Sequence, residues 1–180
     1  MFSNKNTFNQ TIIHYYVGKF FIGYVLMAAT SNGFCWVEMS DSKDQLLKNL
    51  ERKFPGQSFQ RISRDQNKYF KKLIDYLEGK SKWSKMPFDV KGTEFKKRVW
   101  ESMQNIPEGR VLFYGDIAKK VGNSKAHRAV ASACATNPVP LVVPCHRVVP
   151  KSGGIGKYGP GVDKKNQLLV KEKYLPKSKK

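Results

Sequence analysis

The sequence predicts two dissimilar parts: an α/β N-terminal domain on a small antiparallel sheet, then a mostly α-helical C-terminal domain containing a helix-turn-helix. Three observations lead there. Three stretches between residues 11 and 39 are rich in Ile, Val, Tyr and Phe, as strands are, and apolar residues later recur every three or four, as helices require. Residues 79–87 (GKSKWSKMP) have no period and mix Gly, Ser, Lys and Pro, which places a linker there and the domains at 1–87 and 88–180. Basic charge also concentrates in the second half, with 19 Lys and Arg against 6 Asp and Glu in residues 91–180.

Each element follows from local chemistry. Residues 11–17, 20–30 and 34–39 are rich in Ile, Val, Tyr and Phe, and Ser31-Asn32-Gly33 is a hairpin signal between the last two. Ser42 is a fitting N-cap for a helix carrying Leu46, Leu47 and Leu50, stopped by Pro55-Gly56. A second helix over 65–77 places Tyr69, Phe70, Leu73 and Leu77 on one face. Thr93 caps a third, with Phe95, Val99, Trp100 and Met103 inward, ending before Pro107 and Gly109. Residues 116–121 and 125–134 form two short helical patterns joined by Gly122-Asn123-Ser124, the layout of a helix-turn-helix. A last helix starts near Gly161, and the Lys-rich C-terminal tail is expected to be mobile.

The net charge of +19 points to a polyanionic partner, although a solubilising surface would also produce it. Cys35, Cys134 and Cys145 are odd in number and far apart, which argues against a disulfide framework or a paired-cysteine zinc site and favours a reducing compartment. The mostly polar first ten residues carry no secretory leader. Residues 11–30 are broken by His14, Lys19 and glycines, so they read as strands and not as a membrane span. An intracellular protein without a membrane partner is expected, nuclear in a eukaryote or cytoplasmic in a prokaryote.

Residues 138–149 (PVPLVVPCHRVV) hold Cys145 between Pro144 and His146, within two apolar runs. A buried core cysteine would suit that setting. For nucleophilic chemistry the thiol must become a thiolate, against an ordinary pKa of about 8.5. Neighbours on an extended strand face apart, so His146 could serve Cys145 only at a turn or through a bridging water, with a carboxylate orienting the imidazole. Glu172 is the candidate carboxylate, its competing reading being an exposed helix charge. In the second helix of the pair, small residues would allow close approach to a nucleic-acid groove. Arg128 could enter that groove or act as a solvated salt-bridge partner.

Taken together, Ile106-Pro107-Glu108-Gly109, Tyr114-Gly115-Asp116-Ile117-Ala118, Arg128-Ala129-Val130, Asn137-Pro138 and Pro144-Cys145-His146-Arg147-Val148-Val149 resemble the signature series of the O6-alkylguanine-DNA alkyltransferases. The similarity is strongest over residues 88–172. The run RAVASACATN at 128–137 brings the chain nearest to the alkyltransferase half of bacterial adaptive-response regulators. The resemblance implies a ribonuclease H-like N-terminal sheet and a single-turnover methylated-DNA–protein-cysteine methyltransferase. Its partner would be double-stranded DNA bearing O6-alkylguanine and, by extension, O4-alkylthymine. Cys145 would accept the alkyl group, with His146 and, through water, Glu172 drawing off its proton. Asn137 would be the hinge between the helix pair and the active-site turn. Tyr114 would help rotate the nucleotide out and protonate guanine N3, and Arg128 would fill the vacated space. Lys125, Ala126 and Ala129 would lie on the DNA-binding helix, in the minor groove. The carbonyls of Cys145 and Val148 would accept from the guanine amino group, and residues 153–161, with Tyr158, Gly159 and Pro160, would wall the pocket.

Some positions depart from that pattern. Phe113 replaces a common Ser or Thr, with an effect expected on local packing alone. Gly159 removes a hydroxyl that some members aim at guanine, and Pro160 stiffens the same wall, which bears on bulky alkyl groups. His14 and Cys35 are too few for the zinc site of some relatives, so no metal and no cofactor are expected. Without a preceding cysteine-rich domain, a stand-alone monomer is expected. The rival readings are a non-catalytic lesion sensor, which would replace the acceptor cysteine, a helix-turn-helix regulator, and a Cys145-His146 hydrolase.

Overall fold

The computed structural model describes residues 12–174. Strands β1 (Ile13–Phe20), β2 (Gly23–Thr30) and β3 (Gly33–Ser40) form an antiparallel meander. Helix α1 (Lys43–Lys53) follows, its Ser42 side chain accepting from the Gln45 N–H as a cap should. A short strand β4 (Phe59–Arg61) then pairs parallel to β1, giving the order β3-β2-β1-β4. The sheet is therefore mixed and four-stranded, not purely antiparallel. In β4 only Phe59 is apolar, so the segment carries no alternation to announce it.

Two boundaries also differ from expectation. β1 runs on to Phe20, and the chain turns at Phe21-Ile22, where Gly23 takes a φ of +96° that disfavours any side chain. Helix α2 (Lys68–Leu77) starts three residues later than its apolar pattern suggests, because Asn67 accepts from the Tyr69 and Phe70 N–H groups and residues 64–66 make a 3-10 turn. The start of the first predicted strand at Thr11, the polar opening residues and the C-terminal tail lie outside the described residues.

Further helices are α3 (Glu94–Met103), capped by Thr93, then α4 (Tyr114–Lys120), α5 (His127–Ala135) and α6 (Val162–Lys171). Strands β5 (Leu112–Phe113) and β6 (Val148–Val149) pair parallel and tie the entry of α4 to the segment after Cys145. α4 begins at Tyr114, two residues early, because Asp116 accepts from the Phe113 N–H.

β2 is buried on both faces. Leu26 and Ala28 pack with Leu46 and Leu50 of α1, while Val25, Met27 and Ala29 face Phe70, Leu73 and Ile74 of α2. That second layer continues through Val99, Trp100 and Met103 of α3 to Val130, Ala133, Val142 and Leu168, so one apolar core runs through both halves. The outer edge of β3 is paired rather than bare: Phe34 exchanges hydrogen bonds with residues 87 and 89, and Val37 donates to the Pro138 carbonyl at 2.9 Å. Among the described residues no helix is long and apolar enough to cross a membrane.

Candidate active site

Cys145 stands at the start of a one-turn 3-10 helix over 145–147, between buried apolar stretches. The approach is constrained. Cys145 N–H donates to the Val143 carbonyl at 2.8 Å, and Leu141 holds a φ of +76°, a left-handed conformation that is costly for a branched side chain. Trp83 clamps that strained residue by donating from Nε1 to the Leu141 carbonyl at 2.8 Å. The stretch expected to be a linker is thus a strap, and the Trp83 N–H also bonds Glu108 at 2.8 Å. Asn137, two residues past α5, donates from Nδ2 both to the Val143 carbonyl at 2.9 Å and to Cys145 Sγ at 3.1 Å.

Because the turn breaks the alternation of a strand, His146 is carried inward behind Cys145. Its Nε2 lies 2.9 Å from Glu172 Oε1, with both side chains fully buried. Glu172 therefore reaches the imidazole directly and not through water, and it is no exposed helix charge. Arg147, also buried, grips the same carboxylate through Nη2 at 2.7 Å and Nε at 3.0 Å, donates to the Ile106 carbonyl at 2.6 Å and lies 4.5 Å from the Trp83 ring. Tyr76 of α2 donates to Oε1 at 2.5 Å. Burial alone would raise the Glu172 pKa, but the His146 and Arg147 contacts outweigh it and hold the carboxyl well below the usual range. An ionised carboxylate can only accept, so the hydrogen of neutral His146 sits on Nε2 and Nδ1 is left as a base. Burial also lowers the His146 pKa, against the pull of Glu172, which favours that neutral ring. Among the described residues neither His146 Nδ1 nor Tyr158 Oη has a hydrogen-bond partner, although both are buried.

Burial raises the Cys145 pKa, while the Asn137 amide and the charge of Lys165 oppose the rise. Lys165 is 1% exposed, and its ammonium donates to the Val148 carbonyl at 2.7 Å. Burial depresses its pKa to about 8. Cys145 Sγ thus has an amide donor and a buried cation on which a thiolate could draw, and His146 offers a base.

A cleft of about 560 Å³ opens over Cys145, lined by Tyr114, Ala131, Ser132, Cys134, Ala135, Lys157, Tyr158 and Gly159. That volume lies within the range of small-molecule pockets and is ample for a heterocycle. Comparison with known proteins places the chain in a family. Residues 13–90 match the family model described as 6-O-methylguanine DNA methyltransferase, ribonuclease-like domain, and residues 94–174 match that of its DNA binding domain. The inducible methylated-DNA--protein-cysteine methyltransferase of Bacillus subtilis is 33% identical over 174 residues, covering 96% of this chain and 94% of that protein. This chain belongs to the O6-methylguanine-DNA methyltransferase family. The bifunctional transcriptional activator/DNA repair enzyme Ada of Escherichia coli is 34% identical over 151 residues, and the match spans 84% of this chain but 43% of Ada. The chain thus spans less than half the length of that relative. The crystal structure of Mycobacterium tuberculosis OGT in complex with DNA superposes with a TM-score of 0.71 at 29% identity, covering 89% of this chain and 93% of that one.

Within this methyltransferase fold the remaining predicted residues fall into three groups. Tyr114 and Tyr158 line the cleft as expected, and so does Gly159, where an added Cβ would meet only the Ala135 carbonyl at 3.9 Å. The glycine is therefore not demanded by packing and leaves the mouth wider. Pro160 follows Gly159, two residues before α6 begins at Val162, and is half-buried. The Val148 side chain is buried, and the carbonyls of Val148 and Cys145 already accept from Lys165 Nζ and the Val148 N–H, each retaining a second lone pair. Arg128 and Ala129 are exposed on the first turn of α5. Lys125 is exposed and Ala126 half-buried in the connection before it, not on the helix. Phe113 is 39% exposed, so its effect is not on core packing. Among the described residues no three His, Cys, Asp or Glu side chains gather as a metal-binding group.

Sequence reasoning missed Tyr76, Trp83, Lys165 and the role of Arg147. Lys165 could have been found: it shares an i, i+3, i+4 stripe of α6 with Leu168 and Leu169 that leads on to Glu172, and a charge on an apolar stripe needs a buried partner. Tyr76 reads as one more core aromatic. Gly109, read from sequence as a helix stop, also has a packing role: at φ +76° an added Cβ would lie 2.8 Å from the Glu172 carbonyl.

Proposed function

We propose that this chain repairs DNA by moving the alkyl group of O6-alkylguanine, and by extension O4-alkylthymine, onto Cys145 once and irreversibly. The observation that carries the reading is Cys145 at the floor of a nucleobase-sized cleft with the His146–Glu172 pair behind it. The thiol proton passes to His146, whose Nδ1 is left as the base once Nε2–H rests on Glu172. The thiolate attacks the alkyl carbon, forming C–S as C–O6 breaks. The electron pair left on guanine is neutralised by a proton, which Tyr114 at the cleft wall is placed to give to N3. Burial raises the Tyr114 pKa, so the phenol is protonated at rest and the phenolate left by the transfer regains a proton, matching the one His146 took from the thiol and leaving no net charge. The thioether offers no hydrolytic return.

Helices α4 and α5 act as a helix-turn-helix whose second member, carrying Arg128 and Ala129 with Lys125 and Ala126 before it, meets duplex DNA, and Arg128 replaces the extruded base. Residues 1–87 and 88–180 are its scaffold and reactive domains, and Asn137 joins the helix pair to the reactive turn. We take the protein to act as an intracellular monomer. A lesion sensor would bind without reacting, and the presence of Cys145 favours transfer.

The test is to incubate the protein with a duplex containing O6-methylguanine and weigh the peptide bearing Cys145. One methyl increment per protein, lost in Cys145→Ala, is expected. Tight binding without the increment supports the sensor, and repeated turnover on an ester supports the hydrolase.

A further inference from the structure

Glu172 Oε1 is crowded. It accepts from Tyr76 Oη at 2.5 Å, Arg147 Nη2 at 2.7 Å and His146 Nε2 at 2.9 Å, while Oε2 takes Arg147 Nε at 3.0 Å. Arg147 alone suffices to hold the carboxylate in place, through two oxygens and a fork. The Tyr76 phenol comes from α2, 96 residues away in sequence, and is fully buried. Burial, and after it the charge of Glu172, raises its pKa far above that of an ordinary phenol, so it keeps its proton and can only donate here.

We infer that Tyr76 is a positioning residue that sets the basicity of His146 by sharing the carboxylate oxygen on which the imidazole N–H rests. Each donor on Oε1 draws density from the lone pairs that His146 uses. Without the phenol the carboxylate attracts that N–H more strongly, the imidazolium is favoured, and His146 holds a proton to higher pH. The neutral ring would then become available to the Cys145 thiol only at higher pH. In this respect the inference rests on the alkyl-transfer reading, whereas its effect on His146 itself does not.

The other charged and titratable groups around the network come from every adjoining element. They are Glu108 beyond α3, Cys145 and Arg147 on the turn, Tyr158 in the following loop, and Lys165 and Lys171 on α6, with Lys171 Nζ 4.2 Å from the Tyr76 ring centroid. The next of these to titrate above His146 is Lys165, near 8. A step below pH 7 therefore reports His146.

The full chain contains three histidines, so nitrogen-15 histidine NMR can follow each ring through a pH titration, with His146→Gln assigning the signal. In Tyr76→Phe the His146 titration should rise by about half a unit to one unit, the effect of one hydrogen bond. A fluorinated tyrosine installed at position 76 alone donates more strongly and should move it down, and this variant serves if Tyr76→Phe does not fold. A purely structural role would lower thermal stability and leave the His146 titration where it was, which would overturn the inference. The acid limb of methyl transfer against pH should shift with the NMR value. If the ring shifts but wild type transfers no methyl group, the alkyl-transfer reading fails and the role of Tyr76 stands. If transfer proceeds and neither measurement shifts, the role of Tyr76 fails.

Discussion

Glu172→Gln keeps the shape of the side chain and removes its charge, leaving the Arg147 guanidinium in the core without a counter-ion. Both residues are buried, and Arg147 would keep one amide oxygen of the new side chain, the Ile106 carbonyl at 2.6 Å and the face of Trp83, none of them charged. Breaking one side of a buried pair costs ~3–5 kcal/mol. In a domain of this size ~1 kcal/mol corresponds to ~2–4 °C, so the melting temperature at pH 7 should fall by ~6–20 °C in a calorimetric scan. Adding Arg147→Met should recover part of the loss, because it removes the stranded charge. The pH dependence gives a second readout. With its folded pKa depressed, Glu172 contributes its full stability above the unfolded value of about 4.3 and loses it as pH falls toward the folded one. The acid arm of the stability curve should therefore flatten in Glu172→Gln. A melting temperature within about 2 °C of wild type, or a double variant less stable than the single, would refute the reasoning.

Three further outcomes are expected. Lys165 is protonated in both states below pH 8 and carries a burial penalty there. Between about 8 and the unfolded value near 10.4 the unfolded chain binds more protons, so stability rises with pH, and the difference between wild type and Lys165→Met should show that slope. Asn137→Ala removes the amide that bonds Cys145 Sγ and should slow iodoacetamide labelling of Cys145 near neutral pH, whereas unchanged labelling would mean the amide does not stabilise the thiolate. Arg128→Ala should slow repair of duplex more than attack on a free alkylated base, and equal losses would remove its role as the finger in the duplex.

How much of this was legible depended on the range of the forces involved. Caps at Ser42 and Thr93 act within three residues, and both helices begin where those side chains predict. β4 was invisible because its partner, not its own pattern, makes it a strand, and the start of α2 belongs to Asn67 rather than to its apolar face. Around Cys145 the motif identified the nucleophile and its neighbour. It did not show that His146 meets Glu172 directly, because that contact joins residues 26 apart through a turn no periodicity announces. Pro160 was assigned by resemblance as part of the 153–161 wall, and the residues that line the cleft there are Lys157, Tyr158 and Gly159.

The strap at Trp83 and the phenol of Tyr76 have a consequence for inheritance. Both sit upstream of Phe88, in the half that bears none of the reactive motif, yet they rest on Leu141, Arg147 and Glu172. A chimera that borrowed only residues 88–174 from this chain would leave its strained leucine unclamped and its carboxylate one donor short. Positions 76 and 83 should thus drift in step with 141 and 172 across relatives, as if they were one heritable unit split by a hundred residues of chain.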